Sequence, residues 1–407
     1  MVKPLDGIKI LEWAVWYAGP GATMYLGDMG AEIIKLEQPV VGDPSRGLVT
    51  MEGMSTGSTS AERSFPYVEM NRNKKCICID VSKPKGQEIV YKLIPKFDIF
   101  LQNFRQQVRD KNKLDYKTLS MYNPKLIYAN VSALGPDGPD SWRRGNDYVG
   151  QARSGFMTNM TGIVGKPATI GGAVADHMTS IMTMSGILAA LVARERLGIG
   201  QELDSSITGA MVGLQHIRLT SSFHYEQEIV RADRGMVVNP LTSHYKCKDG
   251  KWIGFCILAA GVVWPDFCKA VGIEHLEKDP KFANSKARAE NSRELIEILD
   301  KIFLTKDRDE WVKIVGEYHR IMFSPVNEGQ DVGKDPQIVE NNYVTEYEQP
   351  GFGSVKTTLY PIKFHETPVG IQSPSPEFGQ HTEEVLIEMG GYSWDDIAQL
   401  KEEGIIG

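Results

Sequence analysis

Asp176 stands directly ahead of a stripe at helical spacing, Met178, Ile181, Met182, Ser185, Leu188, Leu191 and Val192. That position gives a carboxylate two possible occupations. It can cap the helix, where free backbone amides and the helix dipole favour negative charge. It can also act as a nucleophile, kept ionised beside amides that would face a developing oxyanion. The residue pattern alone favours the cap. Two short basic groups could grip a phosphate: Arg72, Lys74 and Lys75 ahead of a strand, and Arg105 and Arg109 after Asn103-Phe104. On spacing alone each reads more simply as a solvated face.

Several other chemistries lack their patterns. Gly19 and Gly21 follow the first strand, but the next glycine is Gly27, so neither GxGxxG nor a Walker A loop is present. The eight histidines, from His177 to His381, form no HxxxH or HExxH, and no metal is expected. No GxSxG elbow occurs. The cysteines, Cys76, Cys78, Cys247, Cys256 and Cys268, are odd in number and form no CxxC pair, which speaks against a disulfide framework and a zinc site. Cys76 and Cys78 alternate with Ile77 and Ile79 and read as buried strand thiols.

The elements that must position these residues begin as a βαβ unit. Ile8 to Glu12 reads as a strand, Ala22 to Met29 as a helix entered through Gly19-Pro20-Gly21, and Ala31 to Leu36 as the next strand. Further strands are expected at Cys76 to Ile79, Asp98 to Gln102 and Leu126 to Val131, with a helix at Lys85 to Ile94. Pro39 to Pro66 is a long stretch without periodicity, of the kind that often carries function. The helix after Asp176 should end near Gly198. Beyond about Tyr225 the pattern changes: a loop at Arg231 to Pro240, a hairpin from Ser243 to Leu258 turning at Asp249-Gly250, and helices at Trp264 to Val271 and Asn291 to Phe303. Thr382 to Glu403 reads as one amphipathic helix.

The expected fold class is therefore α/β. The alternation of strands and helices over the first hundred and thirty residues or so is that of a parallel sheet wrapped by helices, and a smaller second domain fits after about Tyr225. With 407 residues, 42% hydrophobic and 24% charged, the chain can bury a sizeable core. Its net charge of -7 supplies no uniform basic field for nucleic acid or an anionic membrane, so neither is an expected partner. The first residues do not read as a signal peptide, and no window of about eighteen uninterrupted apolar residues occurs, so the cytoplasm is the expected compartment.

In order along the chain these segments resemble the class III coenzyme A-transferase family, which includes formyl-CoA and carnitine-related transferases and acyl-CoA racemases. The resemblance is carried by Ala18-Gly19-Pro20 with Leu26 to Glu37, by Gly42-Asp43 with Arg46, and by Asn71 to Lys75 leading to Asp80. It continues in Gln102 to Arg105, Asn123-Pro124, Asp147, Gln151 and Ser154-Gly155. Asp176 with Gly186 to Leu191, Gly200-Gln201 and Gly379-Gln380-His381-Thr382 complete it.

The resemblance implies transfer of CoA from an acyl-CoA donor to a free carboxylic acid through an aspartyl-CoA thioester on Asp176, with Asp147 as a second catalytic carboxylate. It implies CoA contacts at Tyr17, Ala18, Asn73, Lys74, Lys75, Cys76, Asn103, Phe104, Arg105, Lys111, Ser132, Ala133, Leu134 and Gly135. No tightly bound cofactor is implied, CoA entering and leaving as acyl-CoA substrate and product. Gln38 and Lys111 depart from arginines that many members carry. The racemase branch places a histidine where this chain has Asn146. The family fold implies a large Rossmann-like domain made from both chain ends, residues 1–224 with 330–407, and a smaller α+β domain of residues 225–329. It also implies an interlocked, ring-like dimer, either a homodimer or a heterodimer with a related subunit; an acyl-CoA racemase of the same family and a catalytically silent subunit are the alternatives. Acid specificity is expected around Ser55 to Ser60, Trp13, Trp16, Tyr17 and Val237 to Leu241. Their aromatic and Met content suggests an aromatic or arylsuccinate acceptor, such as benzylsuccinate, with succinyl-CoA as donor.

Overall fold

Six parallel strands form the central sheet: β1 Lys9–Trp13, β2 Glu32–Glu37, β3 Lys74–Cys78, β4 Ile99–Gln102, β5 Ile127–Ser132 and β6 Gln201–Ser206. Their spatial order is β3-β2-β1-β4-β5-β6. Chain direction across the sheet therefore reverses between β1 and β4, the switch point at which doubly wound sheets open a crevice beyond the strands' carboxyl ends. The computed structural model describes residues 2–48, 50–51, 54–55, 64–159, 166–228 and 234–407. Thr56 to Ser60, and so nearly all of the expected specificity loop, lie outside the described residues, as do residues 231–233 of the expected loop.

Alternation within the strands sorts their side chains onto two covered faces. Leu11, Ile34, Phe100 and Tyr128 point to one, against the helices Pro84–Leu93, Thr382–Glu388 and Trp394–Glu402. Ile10, Ile33, Leu101 and Ala129 point to the other, against α1 Ala18–Asp28 and the long helix that starts at Val174. Trp13 is 5% exposed, belongs to the first core and lies 4.3 Å from the Phe104 ring, so it packs rather than lining an entrance. The expected tail helix is two helices, because Gly390-Gly391 interrupts it and Gly391 turns at φ 64. The C-terminal signature closes the β3 edge. His381 Nδ1 accepts from the Cys76 amide at 3.1 Å, and Thr382 Oγ1 accepts from the Cys78 amide at 3.0 Å. Both cysteines are fully buried there, and all five in the chain are free.

Charge is buried at the carboxyl ends of β1 and β2. Glu12 lies 2.7 Å from both Lys35 and Lys74, and Lys35 also reaches Asp43 at 3.0 Å. Arg72 pairs with Asp28 at 2.7 Å. Arg72 and Lys74 are 1% and 3% exposed, which corrects the solvated-face reading; only Lys75 of that group reaches solvent. Glu12→Gln would leave two buried ammonium groups without their shared counter-ion. The expected cost is about 3–5 kcal/mol of stability, read as a lower denaturant midpoint with an unchanged slope.

The chain folds as two compact units, one of residues 1–157, 169–227 and 339–407, the other of 158–168 and 228–338. The second contains an antiparallel sheet of β7 Thr242–Lys246, β8 Trp252–Cys256 and β9 Phe323–Val326. β7 and β8 form the expected hairpin, with Gly250 at φ 83 in its turn. The helices Ala260–Val271 and Ser292–Phe303 bury Trp264, Phe267, Leu295 and Leu299 in this unit's own core.

Candidate active site

α2 spans Asp147–Arg153 and α3 spans Val174–Leu197. α3 is long and apolar enough in composition to cross a membrane, but half of its most apolar stretch is buried inside the fold. Its start is held against α1 by Ser180, whose Oγ lies 2.9 Å from the Ala18 carbonyl and 3.0 Å from that of Asp176. Gly21 makes room: a Cβ there would sit 2.5 Å from that hydroxyl.

Asp176 is not the N-cap. Ala173 holds that position at φ 55, and Asp176 is the third residue of the helix. The capping carboxylate is Asp147, whose Oδ1 accepts from the amides of Ala175 at 2.5 Å and Asp176 at 3.3 Å. Its other oxygen accepts from Gln151 Nε2 at 2.6 Å. Gln151 in turn accepts from the Ile170 amide at 3.0 Å, tying down the chain that leads into α3. Asn146 caps α2 through the Val149 amide at 3.3 Å.

With its amide taken by Asp147, Asp176 is 8% exposed, and among the described residues no hydrogen bond reaches its carboxylate. Burial, and secondly the Asp147 charge, push its pKa from 3.8 up to about 7. The Tyr17 phenol is pushed up to about 12 by burial and then by the charges of Asp176 and Asp43. Burial moves His177 downward. Asp176, Tyr17, Ala18 and Asp147 line a cavity of about 630 Å³ beyond the carboxyl ends of β1 and β5. Across the switch point, Asn103 and Val15 clamp each other's polar groups, Val15 N to Asn103 Oδ1 at 3.0 Å and Asn103 Nδ2 to Val15 O at 2.7 Å.

A second cavity, of about 530 Å³, shares Asn103, Ser132 and Ala133 with the first. Phe104, Arg105 and Gly135 line it, together with Arg109, Arg143 and Arg144. Arg109 donates to Asn130 at 2.5 Å and Arg143 pairs with Asp140 at 3.1 Å, whereas among the described residues Arg105 and Arg144 make no ion pair. The Trp142-Arg143-Arg144 run was a usable signal that sequence reasoning passed over. An aromatic-basic triplet just after Gly-Pro turns is suited to an anion.

The remaining expected CoA contacts lie apart. Leu134 and Lys111 line neither cavity, Lys111 being the last residue of the helix Gln106–Lys111. Asn73, Lys74 and Lys75 stand at the amino end of β3, beside a separate hollow near His381, whereas the two cavities lie at the strands' carboxyl ends. The Lys74 ammonium is taken by Glu12 and Lys75 by Glu384. The Cys76 thiol is buried 3.3 Å from Glu37. At the carboxyl ends of β2 and β3 stand instead Gln38 and Asp80, hydrogen-bonded at 2.6 Å.

The family model described as CoA-transferase family III matches residues 5–382. The chain is 31% identical to human succinyl-CoA:glutarate CoA-transferase over 100% of its own length and 90% of that protein's. It is 29% identical to cinnamoyl-CoA:phenyllactate CoA-transferase of Clostridium sporogenes, over 98% and 96% of the two chains. In structure it resembles a CAIB/BAIF family protein from Brucella suis with a TM-score of 0.83 and 27% identity, covering 96% of this chain and 100% of that one. The parallel sheet, the crevice at its switch point and the match across nearly the whole chain agree: the protein belongs to CoA-transferase family III, and is an enzyme of CoA transfer.

Proposed function

We propose that this enzyme moves CoA between an acyl-CoA and a free carboxylic acid through covalent intermediates on Asp176. The observation that carries the reading is a buried carboxylate, free of hydrogen bonds among the described residues, on the wall of a cavity that adjoins an arginine-lined one. A carboxylate without bonds to break is a better nucleophile than one already engaged as a cap.

An Asp176 oxygen attacks the donor thioester carbonyl, the carbon–sulfur bond breaks, and CoA leaves as thiolate, giving a mixed anhydride. The thiolate then attacks the Asp176 acyl carbon. The donor acid departs as carboxylate and an aspartyl-CoA thioester remains. The acceptor carboxylate attacks that thioester and repeats the sequence in reverse, restoring Asp176. No proton is consumed overall, and the thioester's free energy is retained.

The phosphates of CoA are assigned to Arg105 and Arg144, whose guanidinium groups are without ion pairs among the described residues in the adjoining cavity. Arg144→Ala combined with Arg105→Ala should raise KM for acyl-CoA about tenfold, more steeply at low salt, with a smaller change in kcat. Steady-state kinetics at two ionic strengths reads this out.

The expected acceptor is an aromatic or arylsuccinate acid, with succinyl-CoA as donor, in a cytoplasmic enzyme. A relative named for cinnamoyl-CoA and phenyllactate supports the aromatic reading. An interlocked dimer, of one chain or of two related ones, is supported by exposed apolar residues on α3 and the helices after β6, among them Ile181, Met182, Val192, Ile217 and Phe223. The deciding experiment is borohydride trapping after mixing with succinyl-CoA or related donors, followed by peptide mass spectrometry. A mass change confined to the Asp176 peptide is the expected result. An unchanged peptide with every donor would remove the covalent mechanism.

A further inference from the structure

We infer that Trp16 is the specificity residue that selects the acid, its indole forming the wall on which a planar aromatic group packs while the acid's carboxylate meets Asp176. This rests on the reading of Asp176 above and goes on to assign a side chain to the choice of acid.

Trp16 sits at φ 64, a left-handed conformation in which a bulky residue is an outlier and which glycine suits far better. The conformation is imposed from several sides. Asn103 clamps the preceding residue through both backbone groups of Val15, Asp43 Oδ1 accepts from the Trp16 amide at 3.1 Å, and the Tyr17 carbonyl receives the Gly21 amide at 2.7 Å. Asp43 is itself fixed by the buried Lys35 at 3.0 Å. Strain kept in place by its surroundings gathers at sites where it serves a purpose.

Packing among the described residues does not explain why this position carries tryptophan. Among the described residues the indole makes no hydrogen bond and no ring contact, and the residue is 42% exposed. Its neighbour Trp13 does the opposite, stacking into the core. Trp16 lines the cavity that holds Asp176, and two other exposed apolar residues, Tyr148 and Ile170, line the same cavity. A large aromatic surface left without a protein partner, beside the reacting carboxylate, is suited to offset or edge-to-face packing against an aryl group.

The test uses Trp16→Gly, which removes the indole and supplies the residue best suited to that φ, and Trp16→Phe, which keeps an aromatic face. Transfer from saturating succinyl-CoA is measured with cinnamate and benzylsuccinate as aryl acids and with butanoate and glutarate as aliphatic ones. Trp16→Gly should raise KM for the aryl acids about tenfold and leave the aliphatic acids within about twofold, and Trp16→Phe should restore most of the aryl preference. An equal loss for both groups of acids, or no change for either, would overturn the assignment. Borohydride labelling of Asp176 in the unaltered enzyme separates the two ideas. If the label forms but Trp16→Gly leaves selectivity unchanged, only the Trp16 assignment fails. If no label forms, the Asp176 mechanism fails and takes this inference with it.

Discussion

Replacing Asp176 by asparagine is expected to lower CoA transfer by roughly 10,000-fold and to abolish the borohydride-dependent mass change, because the amide cannot form the anhydride. The same substitution should make the protein more stable at alkaline pH. Burial, and then the Asp147 charge, raise the Asp176 pKa from 3.8 to about 7, so the folded state holds a proton that the unfolded state has already released between those values. The stabilisation from the proton is complete below the ordinary carboxylate range and is lost as pH rises through about 7. Ionising the buried group above that pH costs the fold up to about 4 kcal/mol, a cost that asparagine does not carry. Thermal melts at pH 4 and pH 8 should therefore show little difference at the lower pH and a higher midpoint for Asp176→Asn at the upper one. Rate should climb through about pH 7 in the unaltered enzyme, as the nucleophile ionises. Substantial transfer by the asparagine variant would sink the mechanism.

The strands were legible because a parallel sheet covered on both faces demands near-continuous apolar runs, and those at β1, β2, β4 and β5 lie within a residue or two of their expected limits. What could not be read was how charged groups pair across the fold. A carboxylate ahead of an apolar stripe looks the same whether it is the cap or the third helical residue. The residue that decides the matter, Asp147, is 29 positions earlier. Arg72 and Lys74 looked like a solvated face because their counter-ions, Asp28 and Glu12, lie 44 and 62 residues away. The resemblance puts Asn73 to Cys76 and Asn103 to Arg105 in one expected set of CoA contacts, although Asn73 to Lys75 stand at the amino end of β3 and Asn103 to Arg105 lie beyond the carboxyl end of β4. Trp13 and Trp16 were indistinguishable in sequence. Only the positive φ at Trp16 and the partners that impose it separate a core residue from one held at the cavity.

Asp147 should behave as a positioning residue for Asp176, and its two simplest variants should differ. Alanine removes the acceptor for the Ala175 and Asp176 amides and one of the partners of Gln151, so the first turn of α3 loses its cap. A loss of about 1–2 kcal/mol in stability is expected, together with a fall of about 100-fold in kcat as Asp176 drifts from the cavity wall. Asparagine keeps an oxygen that can accept from those amides but removes the charge that helps hold a proton on Asp176. Its kcat should therefore stay nearer the original, while the acid limb of its pH profile moves to lower pH, making it relatively more active than the unaltered enzyme below pH 7. A carboxylate that merely filled space would give two variants with parallel losses and an unmoved profile. One that exchanged protons with substrate would give an asparagine variant as inactive as the alanine variant. A retained rate with an acid-shifted limb follows only if Asp147 works through Asp176, holding its helix turn in place and setting the pH at which it becomes a nucleophile.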